Sequence, residues 1–116
     1  MAEAVARARS LRVAPRKMGL VAELVRGRTV KEAREILQFT QKAAAPKLRK
    51  VLESAVANAE SKAAEHRQRI DTDEMVVTQL LVGPGFTMKR MQPRARSRRC
   101  MIRKRTSHVD LVISDI

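Results

Sequence analysis

Aromatic side chains are almost missing from this chain: there is no Trp and no Tyr, and Phe39 and Phe86 are its two Phe. That argues against recognition through aromatic base-stacking platforms, as in RRM and OB modules. The single cysteine, Cys100, cannot close an internal disulfide, which points to a reducing compartment. No run of about 18 apolar residues occurs, so a membrane-spanning helix is excluded, and no secretory apolar region follows Met1. Acid is missing over a long stretch, because no Asp or Glu lies between Met75 and Val109.

What is present is base. The chain has 116 residues, the length of one domain (1–116) with one modest core. Its 25 Lys and Arg against 12 Asp and Glu make a formal charge of +13, for which a polyanion is the natural partner. Residues 1–17 hold five bases and one acid, residues 18–74 eleven bases and nine acids, and residues 75–116 nine bases and two acids. A balanced middle between two basic segments predicts a folded scaffold with a charged face and a charged arm. The first 17 residues, with Arg7, Arg9, Arg12, Arg16 and Lys17 against Glu3, also share the composition of mitochondrial presequences.

Periodicity predicts the elements. Ala4, Ala6 and Ala8 alternate with Val5, Arg7 and Arg9, which reads as a strand over Ala4–Arg12 with one exposed face. Pro15 suits the first turn of a helix that runs to about Arg26 and stops at Gly27, with Met18, Val21, Ala22 and Val25 on one face. Thr29 followed by Glu32 fits a capping box ahead of a second helix, whose stripe is Val30, Ala33, Ile36 and Leu37. A third helix is expected from soon after Thr40 to about Lys62, burying Leu48, Val51, Leu52, Ala55, Val56 and Ala59. Pro46 moves its regular start toward Ala45, since a proline beyond the first turn removes a hydrogen bond.

After a polar connection at His66–Glu74, Met75–Val82 reads as a strand interrupted by Gly83-Pro84-Gly85, and Ser107–Ile113 as the last strand. The result is an α+β domain: three helices packed on a small three-stranded antiparallel sheet.

Between the last two strands, residues 86–105 form an acid-free arm too self-repelling to enter a core. Continuing two antiparallel strands outward makes a long basic β-hairpin, each leg about 10 residues and on the order of 30 Å long. Such a finger is marginal alone in water and is expected to order against a ligand that neutralises it. Phosphate suits Arg, whose planar fork donates bidentate hydrogen bonds. A nuclear-localisation signal or nonspecific basic tail has the same composition, but it usually hangs from a terminus and does not return to an apolar strand.

Several strings resemble one family. They are Gly83-Pro84, Met88-Lys89-Arg90, Pro93-Arg94-Ala95-Arg96 and Arg103-Lys104-Arg105-Thr106-Ser107-His108, with Pro15-Arg16-Lys17, Leu24-Val25-Arg26-Gly27 and Val51-Leu52-Glu53-Ser54-Ala55-Val56-Ala57-Asn58-Ala59-Glu60 upstream. Over about residues 3–114 the chain resembles the large-subunit ribosomal protein L twenty-two family, bacterial type. Beginning so early, the resemblance leaves little room for a presequence.

The resemblance implies a structural, non-enzymatic constituent of the large subunit in the cytoplasmic ribosome. It implies binding to large-subunit rRNA during assembly, with neighbouring ribosomal proteins and the nascent polypeptide as further partners. No membrane, homo-oligomer, cofactor or metal is expected. The implied rRNA-binding residues are Arg7, Arg9, Arg12, Arg16, Lys17, Lys89, Arg90, Arg94, Arg96, Arg98, Arg99, Arg103, Lys104 and Arg105. The implied lining of the peptide exit tunnel is Met88, Lys89, Arg90, Met91, Pro93, Arg94, Ala95, Arg96, Ser97 and Arg98. Departures from the family pattern fall at Ser97, where Gly is usual, at Arg99-Cys100 and at Pro46.

Other candidate sites are weaker. Ser107, His108 and Asp110 would be catalytic only if they met, and strand alternation keeps the set off one face. Asp71, Asp73 and Glu74 lack the Gly-turn loop and further ligands of a metal site, and read as a solvated loop. Cys100 beside Arg99 is an incidental thiol, and Met88, Met91 and Met101 are adaptable packing. A helix-turn-helix regulator would need a basic recognition helix, whereas Lys31 and Arg34 are offset by Glu32 and Glu35. A nuclease would need clustered acids among its bases.

Overall fold

The computed structural model describes residues 3–67, 69–93 and 99–115. The chain runs β1 (Glu3–Leu11), α1 (Pro15–Val25), α2 (Val30–Phe39), α3 (Ala44–Glu65), a 3-10 turn (Thr72–Glu74), β2 (Val76–Pro93) and β3 (Arg99–Ser114). It is an α+β fold in which the strands form one antiparallel sheet of order β1-β3-β2. The helices cover one face of the body of this sheet, and β2 and β3 continue beyond it as the finger.

The predicted apolar stripes are the ones buried. Met18, Val21, Ala22 and Val25 from α1 and Leu48, Val51, Leu52, Ala55, Val56 and Ala59 from α3 belong to one hydrophobic cluster. Ala4 and Ala6 of β1, Val77 and Leu80 of β2, and Val109, Leu111 and Ile113 of β3 meet them from the sheet. The alanines on β1 and α3 have a geometric purpose, since small side chains let the long helix lie close to the strand. In α2, Val30, Ala33 and Leu37 are buried and Ile36 is partly buried.

Local chemistry sets the helix ends. Thr29 Oγ1 accepts the Glu32 amide at 3.3 Å and caps α2. Gly27 follows the end of α1 at φ +76°, a conformation that favours glycine. That turn sends residues 27–30 along β2: Gly27 N–H donates to the Val77 carbonyl at 3.0 Å, Val77 N–H to Arg28 at 2.9 Å, and Val30 N–H to Met75 at 2.7 Å. This edge of the sheet is therefore paired at its start, and Arg26 Nε adds a bond to the Leu80 carbonyl at 2.9 Å.

Helix α3 starts at Ala44, close to the expected Ala45, so Pro46 is its third residue and lies in the first turn, where the amide has no intrahelical acceptor to lose. Three expectations are corrected. Helix α3 passes Lys62 and ends at Glu65. Gly83-Pro84-Gly85 does not terminate the strand: β2 is continuous from Val76 to Pro93, and the irregularity is absorbed as a register shift between Pro84 and Thr87. Correspondingly β3 begins at Arg99 instead of Ser107. Seven further pairs, from Thr87 with Arg105 to Pro93 with Arg99, make the finger one ladder with the body, and the molecule is 66 Å long. The expected tip, Arg94, Ala95, Arg96, Ser97 and Arg98, lies outside the described residues.

Leu52 is fully buried between α3 and the sheet. Leu52→Ala is expected to cost about 2 to 5 kcal/mol in chemical denaturation, through lost transfer energy and a cavity. A change within about 0.5 kcal/mol would show that this helix face is not the core.

Candidate nucleic-acid interface

The finger joins the body at three consecutive side chains of β3. Opposite Thr106, strand β2 carries the extra residue of a bulge at Gly85-Phe86, and Thr106 Oγ1 donates to the Phe86 carbonyl at 2.7 Å. Opposite His108, strand β1 carries another bulge at Arg9-Ser10, where Ser10 has φ 57° and its N–H donates to His108 Nδ1 at 3.0 Å. Between them, buried Ser107 donates from Oγ to the Val13 carbonyl at 2.8 Å and holds the loop into α1. A bulge leaves a backbone group out of the ladder, and here the residue facing each bulge satisfies it. Gly85 is needed for close approach: a Cβ there would overlap Thr106 Oγ1 and press on the His108 ring.

This geometry disposes of the catalytic trio. Ser107 faces inward to Val13, whereas His108 and Asp110 belong to the other face, His108 accepting from Ser10 and Asp110 meeting arginines.

Above the junction the cross-strand partners sort onto two faces. Thr87 with Arg105, Lys89 with Arg103 and Met91 with Met101 share one face; Met88 with Lys104 and Arg90 with Ile102 share the other. The first face, together with Arg16 at the start of α1, encloses a cleft of about 630 Å³ floored by Pro15, Pro84, Gly85 and Thr106. Its cations are Arg16, Lys89, Arg103 and Arg105, all exposed. Among the described residues none of them has a carboxylate within 4.0 Å. Like charges held side by side without a counter-ion make a site for an anion.

The remaining expected residues are placed differently. Arg9 Nη1 lies 2.9 Å from Asp110 Oδ1 and Arg7 Nε 3.9 Å from the same oxygen, on the outer sheet face. Two guanidiniums on one carboxylate still leave a net positive charge. Arg12 borders a groove beside α3, and Lys17 a shallow depression with Leu20 and Lys42. Arg90 turns back on its own strand, donating to the Lys89 carbonyl at 3.0 Å. Lys104 stands on the second face, opposite Met88. Lys47 and Lys50, absent from the sequence-derived set, line the same groove as Arg12. Their spacing on the rim of the α3 apolar stripe was the available signal, and the near balance of eleven bases and nine acids over residues 18–74 masked it.

The acids of the middle segment are used structurally. Arg34 sits between Glu53 at 2.8 Å and Asp73 at 2.8 Å. Its pKa is raised, first by the hydrogen bond to Glu53, against a lowering by burial, with the charges of Glu53, Asp73 and Glu60 adding to the rise. Asp71 accepts the Asp73 amide at 3.1 Å and caps the 3-10 turn. Asp71 and Asp73, two of the acids considered for a metal, are thus occupied within the fold.

An α+β body with an uninterrupted cationic hairpin defines the class: a basic protein with an extension suited to a folded polyanion. The comparisons make this particular. A family model described as "Ribosomal protein L22p/L17e" matches residues 6–114. The chain is 49% identical over 113 residues to "Large ribosomal subunit protein uL22" of Staphylococcus aureus strain JH9, covering 97% of this chain and 92% of that protein. The same values hold for the proteins of that name in strains Newman and Mu3. The chain belongs to the L22p/L17e ribosomal protein family, bacterial uL22 type. It is a structural constituent of the large subunit of the cytoplasmic ribosome, among ribosomal RNA and ribosomal proteins. No helix among the described residues is long and apolar enough to cross a membrane.

Thr106→Val leaves the Phe86 carbonyl without its donor and is expected to cost about 1 to 3 kcal/mol in urea denaturation. Gly85→Ala is expected to destabilise as well, and to shift the amide resonances of Thr106 and His108. Full stability in both variants would show that the junction is not fastened this way.

Proposed function

We propose that this protein binds large-subunit rRNA through the cleft at the root of its finger, and that the finger lines the peptide exit tunnel beside the nascent chain. The observation that carries the reading is the cleft itself, where Arg16, Lys89, Arg103 and Arg105 converge with no carboxylate partner among the described residues. Arg supplies planar, bidentate donors to phosphate oxygens, and the lack of aromatic platforms leaves phosphate and shape as what is read. The finger ladder is templated by the body, so RNA would add charge neutralisation to a pairing already set.

The division of labour is part of the proposal: one domain over 1–116, with 86–105 as an arm that the core does not need. The role is that of a non-catalytic monomer, and the tunnel surface takes in Met88 to Arg98, with Met91 and Met101 paired toward the tip.

Binding of a large-subunit rRNA transcript should weaken steeply with salt through counterion release. The triple variant Arg16→Gln, Arg103→Gln, Arg105→Gln is expected to reduce the slope of log affinity against log salt by about two. An unchanged slope would remove the cleft from the RNA contact. For the finger, crosslinking from position 96 in translating ribosomes should retrieve nascent chain, and its consistent absence would place the tip elsewhere. Replacing residues 88–104 by Asn-Gly between Thr87 and Arg105, an allowed hairpin turn, should leave a cooperative melt. Loss of that melt would refute the division of labour.

A further inference from the structure

The finger carries Met88, Met91 and Met101, and the ladder gives their sulfurs different surroundings. Met91 and Met101 are cross-strand partners on the face shared with Lys89 and Arg103, and they are 60% and 56% exposed. Directly opposed side chains of an antiparallel pair have Cβ atoms about 4.5 to 5.5 Å apart, so the two thioethers lie side by side in the open. Met88 stands on the other face and is half-buried, and its Sδ accepts a hydrogen bond from Arg90 Nη2 at 3.7 Å. Met18 and Met75 are fully buried in the core.

Core packing does not account for the exposed pair, since a methionine that fills a gap has apolar neighbours on every side. What an exposed thioether offers is a nucleophilic sulfur. With hydrogen peroxide the sulfur lone pair attacks one peroxide oxygen and the O–O bond breaks. The proton of the attacked oxygen passes to the departing hydroxide, which leaves as water. Methionine and peroxide thus give methionine sulfoxide and water, with sulfur oxidised by two electrons and peroxide reduced by two.

The surroundings suit the product. A sulfoxide oxygen carries partial negative charge and accepts hydrogen bonds, which a thioether does only weakly. Lys89 and Arg103 stand two residues along the strands from Met91 and Met101, about 7 Å away and within reach of long side chains. Neither has a carboxylate within 4.0 Å among the described residues, so their donors face an acceptor only once oxidation creates one. At Met88 a lone pair is already held by Arg90. One finger therefore presents a guarded sulfur and two open ones.

We propose that Met91 and Met101 form a peroxide-sensitive modification site, where oxidation to the sulfoxide turns an apolar cross-strand pair into acceptors that tie Lys89 and Arg103 to the finger itself. The site belongs to the free chain and does not depend on what the finger binds.

The test follows sulfoxide formation under excess hydrogen peroxide by peptide mass spectrometry, in the full chain carrying Cys100→Ser to remove the competing thiol. Met91 and Met101 are expected to react on the order of tenfold faster than Met18 and Met75, whose reaction waits for the core to open. They are expected to react about threefold faster than Met88, whose sulfur is engaged by Arg90. Arg90→Gln, at an exposed position, should raise Met88 to the rate of the pair. A Met88 that matches the pair while Arg90 is present, or a pair as slow as the core methionines, would overturn the assignment. The second readout is the Arg103 Nε–Hε resonance, which should shift on oxidation and return after methionine sulfoxide reductase and a dithiol have restored the thioethers. An unmoved resonance would mean that the new oxygens are left to water, and the role given to the cations would fall. Should the Cys100→Ser chain fold poorly, the unmodified sequence with its thiol alkylated supplies the same comparison.

Discussion

Strand β3 is the constraint on which the rest of the molecule depends. It is the central strand of the body, with β1 on one side and β2 on the other, and its outer half is one leg of the finger. The inward residues Val109, Leu111 and Ile113 commit one half to the core, while Arg103 and Arg105 commit the other to a charged face. Because the two halves are one ladder, burial of the first orients the second. Stability gained where apolar surface leaves water is thereby used to hold cations in positions they would not adopt on their own.

The change of character happens over Thr106, Ser107 and His108, where the strand has bulges facing it on both sides. A bulge bends a strand and increases its twist, and two of them at one level give the junction a defined angle. Each of the three residues uses a short polar side chain to reach a backbone group, on β2, on the loop into α1 and on β1 respectively. This gives a physical content to a string that by itself reads as a family signature.

Charge is segregated in the same way. The carboxylates of the middle segment gather around α2, α3 and the 3-10 turn, where Arg34 joins Glu53 to Asp73 and ties three elements together. The described cations of the finger find no such partners, and those at the bulged edge of β1 find only Asp110. The finger and the bulged edge of β1 are thus the parts of the described surface left electrostatically incomplete. The two sheet edges differ correspondingly: the β2 edge is closed at its start by residues 27–30, while the β1 edge is capped by α3 at intervals and open between.

The sequence by itself determined the elements, the buried stripes and the cationic arm, because apolar periodicity and acid-free runs are local properties written in consecutive residues. Leu48 to Ala59 could only be a helix face, and Lys89 to Arg105 could only stay outside a core. Gly83-Pro84-Gly85 was misjudged because its effect depends on the partner strand: an irregularity opposite a suitable residue becomes a bulge instead of an end. Tertiary structure alone decided which cations converge. Arg16 and Arg103, or Arg12 and Lys50, are far apart in the chain and meet only because helices and strands pack against a shared core, a relation that no local pattern encodes.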